Sequence, residues 1–86
     1  MPEISRFFGI IIRMYYNDHA PPHVHVEYQG EKLLLDFWGN ILRGSITSKT
    51  AIRLAREWID LHESELEEDW NLARGGRDLR PIEPLK

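Results

Sequence analysis

The residues best able to do chemistry fall in one short stretch, Asp18-His19-Ala20-Pro21-Pro22-His23-Val24-His25. Imidazole changes charge near neutral pH and is the commonest protein ligand for transition metals. Alternate residues of a strand share a face, so the His23/His25 spacing sets two rings side by side. Three uses fit those rings. In the first, His23 and His25 hold a divalent ion such as zinc, with His19 or Asp36 completing the set. In the second, His23 and His25 act as base and acid with His19 in support. Arg13 and Arg43 then grip a phosphate, the arrangement of a ribonuclease-like enzyme. In the third, the histidines are polar residues of a solvated face and Asp36 pairs with Arg43 across the surface. The sequence leaves all three open, and with them whether the protein is an enzyme and whether its cofactor is a metal or none.

The elements that must position these groups are legible from periodicity. Gly9–Tyr16 alternates, with Ile10, Ile12, Met14 and Tyr16 on one face and Ile11, Arg13 and Tyr15 on the other. Asn17 to Pro22 reads as a loop, because two prolines cannot feed a central ladder. His23–Tyr28 alternates again, with Val24, Val26 and Tyr28 inward and His23, His25 and Glu27 outward. Gln29-Gly30 is a two-residue hairpin turn. That turn sets Tyr28 opposite Glu31, Glu27 opposite Lys32, His25 opposite Leu34 and His23 opposite Asp36. The Glu27–Lys32 charge pair favours this register, and a one-residue slip would mix core with polar positions. Glu31–Phe37 is the next strand, and a turn at Gly39-Asn40 leads to a short one near Ile41–Arg43, with Asp36 opposite Arg43.

Helix starts after Ser48, an N-cap residue, and carries Ala51, Ile52, Ala55, Trp58 and Ile59 at helical spacing. Ser64-Glu65-Leu66-Glu67 reads as a capping box for a second helix that Gly75-Gly76 ends. One continuous helix from about 49 to 75 also fits the stripe. The expected fold is therefore α+β: an antiparallel sheet of about four strands, followed by one long or two shorter helices on one face. It forms a single domain over residues 1–86, with a strand-rich part (1–47), a helical part (48–76) and an irregular tail (77–86).

Composition narrows the function classes. The 86 residues contain no cysteine, which excludes disulfides and thiolate metal sites. There is no membrane-length apolar run and no signal-peptide pattern at the N-terminus, so a cytoplasmic protein is expected. The net charge of −3 is segregated. Residues 57–73 hold Glu57, Asp60, Glu63, Glu65, Glu67, Glu68 and Asp69 without one Lys or Arg, while the flanking segments are mildly basic. An acidic domain is not the profile of a dedicated DNA-binding module. The acidic block is either a solvated helix face or a grip for a basic partner through Glu65, Glu67 and Glu68, with Trp38 as an aromatic anchor. The basic segments are where RNA would bind. Phe7-Phe8 and the open sheet face are candidate contacts of a homodimer.

Larger patterns point the same way. The opening Met1-Pro2-Glu3-Ile4-Ser5-Arg6-Phe7-Phe8-Gly9-Ile10, then Met14-Tyr15, Asp18-His19, Pro21-Pro22-His23 and His25, resembles the bacterial domain-of-unknown-function 4160 family. The likeness runs on through Gly44-Ser45, Trp58, His62, Glu65-Leu66, Trp70, Ala73, Gly75 and Ile82-Glu83-Pro84. The D-H-x-P-P-H-x-H string is its most specific part. The resemblance implies a free-standing small protein, encoded beside a second small protein in a toxin–antitoxin-like two-gene module. It implies a protein partner and brings no catalytic residue with it.

Overall fold

The computed structural model describes residues 2–16 and 18–86. Met1, and Asn17 at the start of the expected loop, lie outside the described residues. The described residues form five strands and two helices: β1 Glu3–Phe7, β2 Ile10–Arg13, β3 His23–Tyr28, β4 Glu31–Asp36, β5 Ile41–Ser45, α1 Lys49–Leu61 and α2 Glu63–Arg74. The strands form one antiparallel meander in the order β1-β2-β3-β4-β5. The α+β class is as expected, with one strand more than the sequence suggested.

The added strand is β1. Phe8 and Gly9 take positive φ (49° and 80°), the signature of a tight hairpin turn, and this pairs Phe7 with Ile10. The same signature recurs at Gln29 and Gly30 (φ 47° and 82°), where the hairpin was expected. The expected β3–β4 register holds at every pair, from Tyr28↔Glu31 to His23↔Asp36. The next pairing differs. An irregularity between Leu34 and Leu35 sets Leu34, not Asp36, opposite Arg43, so the expected Asp36–Arg43 pair does not form. Gly44 is required where β5 closes on β4: a Cβ there would stand 2.4 Å from the Lys32 carbonyl oxygen, at a φ of 82°.

The inward residues of the sheet meet the helix stripe in one core. Ile10, Ile12, Met14, Val24, Val26, Leu33 and Leu35 pack with Ala51, Ala55, Trp58, Ile59, Leu66, Trp70 and Ala73. Each large side chain enclosed there contributes ~1.5–3 kcal/mol. Ser48 caps α1 as expected, its Oγ accepting from the Ala51 N–H at 3.1 Å. The helical segment breaks at His62 (φ −124°, ψ 29°), so there are two helices. The Ser64 capping box is not used, because α2 has already started at Glu63 with His62 in the cap position. The tail is irregular yet docked. The Ile82 N–H donates to the Ile4 carbonyl (2.8 Å) and the Trp58 indole donates to the Glu83 carbonyl (2.9 Å). Among the described residues, no helix is long and apolar enough to cross a membrane.

Candidate metal centre

The site is built where the loop after β2 returns to the first residues of β3. Asp18 and a cis Ala20–Pro21 peptide lie within that loop, and Pro22 hands the chain to His23. Pairing of Arg13 with His25 brings the end of β2 beside the second histidine. The Tyr15 ring then stands edge-on to the His25 ring at 4.3 Å between centroids. The two imidazoles lie 5.1 Å apart.

Each ring is held from a different side. His23 is 5% exposed, and its Nδ1–H donates to the Pro21 carbonyl at 2.8 Å. A carbonyl only accepts, so in the neutral ring the lone pair sits on Nε2. That Nε2 is buried and has no hydrogen-bond partner. It lies 2.9 Å from Asp18 Oδ2 without the alignment of a hydrogen bond. His25 Nε2–H donates to the same Oδ2, also at 2.9 Å. The three donor atoms all fall within 4.8 Å of one another. Ligand atoms sharing one ion bonded at ~2.0–2.2 Å sit roughly 3–3.5 Å apart, so small side-chain adjustments suffice. Burial pushes the Asp18 carboxyl up. The His25 hydrogen bond, the two imidazoles and the His19 backbone N–H outweigh it and hold the carboxyl below its ordinary range.

The expected site residues part company here. His23 and His25 come together, but His23 does not lie on an open face. It stands at the strand end and packs on Trp70 of α2, 5.5 Å between ring centroids, and Trp70 also meets Phe37. His19 is exposed and lines the same hollow of about 340 Å³ as Arg43 and Leu42. Arg13 is occupied by Glu27, Nε to Oε2 at 2.8 Å. Asp36 is not a ligand of this group. Its Oδ1 accepts from the Trp38 and Asn40 N–H groups and its Oδ2 from the Asn40 side chain, at 2.8–3.0 Å. The carboxylate of the set is Asp18, which the sequence brings to the same face without giving it the role.

The acidic segment divides as well. Glu65 pairs with His62 at 2.6 Å and Glu68 reaches Arg80 at 4.0 Å. Glu67 instead lines a groove with Trp38, Pro22 and Trp70, and Trp70 separates that groove from His23 by packing on its ring.

The family model described as a domain of unknown function, DUF4160, matches residues 9–71, which contain every donor of this set. Among curated proteins and solved structures, none gives a significant match.

Proposed function

Because the chain belongs to the DUF4160 family, whose description assigns no activity, we propose its function from its own site: a metal-binding domain whose Asp18, His23 and His25 take one divalent transition-metal ion. The observation that carries the reading is the buried Nε2 of His23. Its ring is oriented by a backbone carbonyl on the far nitrogen, and Nε2 makes no hydrogen bond while standing 2.9 Å from Asp18 Oδ2. That is how a protein prepares a histidine ligand, since the outer hydrogen bond fixes tautomer and ring direction. Two imidazoles and one carboxylate suit zinc, iron(II) or cobalt(II), and three protein ligands leave a coordination position for water or substrate.

Use of the same rings to cleave RNA would place a phosphate between them. Asp18 already puts a carboxylate there, which favours a cation over an anion in that position. Membership of a two-gene module, as the resemblance implies, is compatible with a metal domain.

Cobalt(II) titration followed by visible absorption tests the reading. One equivalent should bring in d–d bands of a nitrogen/oxygen site, and Asp18→Asn or His25→Ala should remove them, with His62→Ala as the histidine control. A spectrum that stays that of the aqueous ion, or persists unchanged in His25→Ala, overturns it.

A further inference from the structure

The second surface that the helices and sheet leave unfilled lies around Trp38. The indole is 73% exposed, the most exposed large hydrophobic side chain of the described residues. It is not a loose side chain on a loose loop. The Trp38 N–H donates to the buried Asp36 carboxylate at 2.8 Å, and Arg56 Nε donates to the Gly39 carbonyl at 2.8 Å, so the turn is pinned on both sides. On one flank, Trp38, Phe37, Pro22 and Trp70 line a hollow of about 360 Å³, with Glu63 and Glu67 on its rim and Arg74 at its end. On the other, Trp38 faces a second hollow of about 360 Å³ bordered by Glu57, Asp60 and Glu63.

The charges here are unbalanced. Glu57, Asp60, Glu63 and Glu67 form no ion pair among the described residues. Arg56, whose Nε holds the turn, and Arg74 are the two cations lining these hollows, against four carboxylates. Four carboxylates around a fixed indole match one chemistry: a guanidinium or ammonium stacked on the ring and reached by acids from both sides. We infer that this Trp38 surface docks an extended, arginine- or lysine-bearing segment of a partner protein. Glu63 and Glu67, one turn apart on α2, take the cations on one flank, and Glu57 and Asp60 take them on the other. Because the turn is rigid before binding, little ordering entropy opposes the contact. On α2 the acids that hold the partner are therefore Glu63 and Glu67, not Glu65 and Glu68, whose carboxylates face His62 and Arg80.

The test is isothermal titration of the whole chain with three probes: an alternating Arg-Ala peptide, a Glu-Ala peptide of equal length and a single-stranded RNA oligonucleotide. The Arg-Ala peptide should bind and weaken as salt rises. Trp38→Ala should weaken it about tenfold, as loss of an aromatic anchor does. The pair Glu63→Gln/Glu67→Gln should do the same. The charge-matched pair Glu65→Gln/Glu68→Gln should leave affinity within about twofold, since it removes equal charge away from the groove. Equal loss in the two pairs, no effect of Trp38→Ala, no Arg-Ala binding, or RNA or the Glu-Ala peptide binding at least as tightly would each overturn the assignment.

Discussion

Two carboxylates meet the first residue of β3, Asp36 across the ladder and Asp18 from the loop before it, and they have opposite fates. Asp36 faces His23 across the β3–β4 ladder and is 6% exposed. It is saturated by the turn that follows it, holding the Trp38 and Asn40 N–H groups and the Asn40 amide. Asp18 lies in the loop before β3 and has one backbone partner, the His19 N–H, beside two imidazoles. The difference teaches how to tell a structural carboxylate from a site carboxylate. One is consumed by neighbouring amides of its own turn. The other converges with side chains of the strand that follows its loop, one of which keeps a buried ring nitrogen without a hydrogen bond.

Removing each acid should break the comparison if it is mistaken. Asp36→Ala removes the acceptor of three hydrogen bonds, two of them from backbone N–H groups, and should cost about 2–4 kcal/mol in urea unfolding. A cost as small as that of Asp18→Ala would void the contrast. Asp18→Ala should cost the metal-free protein no more than about 1 kcal/mol, since Asp18 and His25 are both partly exposed. Its effect should appear on adding zinc. Wild type should gain about 2.7 kcal/mol at a hundred times the dissociation constant, and the variant should gain nothing in the same thermal scan.

A third carboxylate sharpens the rule. Asp69 is 1% exposed and accepts from the Arg80 N–H through Oδ1, while Oδ2 is buried without a partner. Burial pushes its carboxyl up, and Glu68 and Glu65 add to this against the opposing Arg80 N–H and charge. A raised folded pKa contributes stability that is present below the unfolded value of 3.8 and is lost as pH rises through the folded value. Asp69→Asn keeps an acceptor for Arg80 and removes the charge. It should therefore raise stability near neutral pH by about 1 kcal/mol, with the gain vanishing toward about pH 3. Asp36 runs the other way. Burial raises it, but the Asn40, Trp38 and Gly39 hydrogen bonds outweigh this and lower it, so its stabilisation is lost as pH falls below 3.8. A chemical-denaturation series across that range separates the two signs. The smallest expected effect is that of Trp38→Ala, within about 0.5 kcal/mol of wild-type stability, because the indole buries little within its own chain.

Much of this was legible before any coordinates. Strict alternation in His23–Tyr28 and the Gln29-Gly30 turn specified the central register, because a one-residue slip would have exposed Val24 and Val26. Ser48 marked the start of α1, and Trp58 declared itself as core by spacing alone. β1 escaped notice because Phe8-Gly9 is an uncommon turn pair and Phe8 itself is exposed. The capping box misled because Ser64 and Glu67 match a local pattern that the break at His62 pre-empts.

The sequence by itself determined the fold class, the pairing of β3 with β4 and the neighbourhood of the histidines, since these follow from periods of two and 3.6 and from turn residues, all local. Only the tertiary structure decided which carboxylate meets them. Asp18 and Asp36 are alike as residues, and what separates them is where their hydrogen-bonding capacity goes. A turn of five residues spends that of Asp36 on amides of its own segment. A loop closing from β2 to β3 carries Asp18 to two rings that stand on the next strand. Burial of His23 against Trp70, on a helix far along the chain, likewise arises from packing and leaves no mark in local spacing.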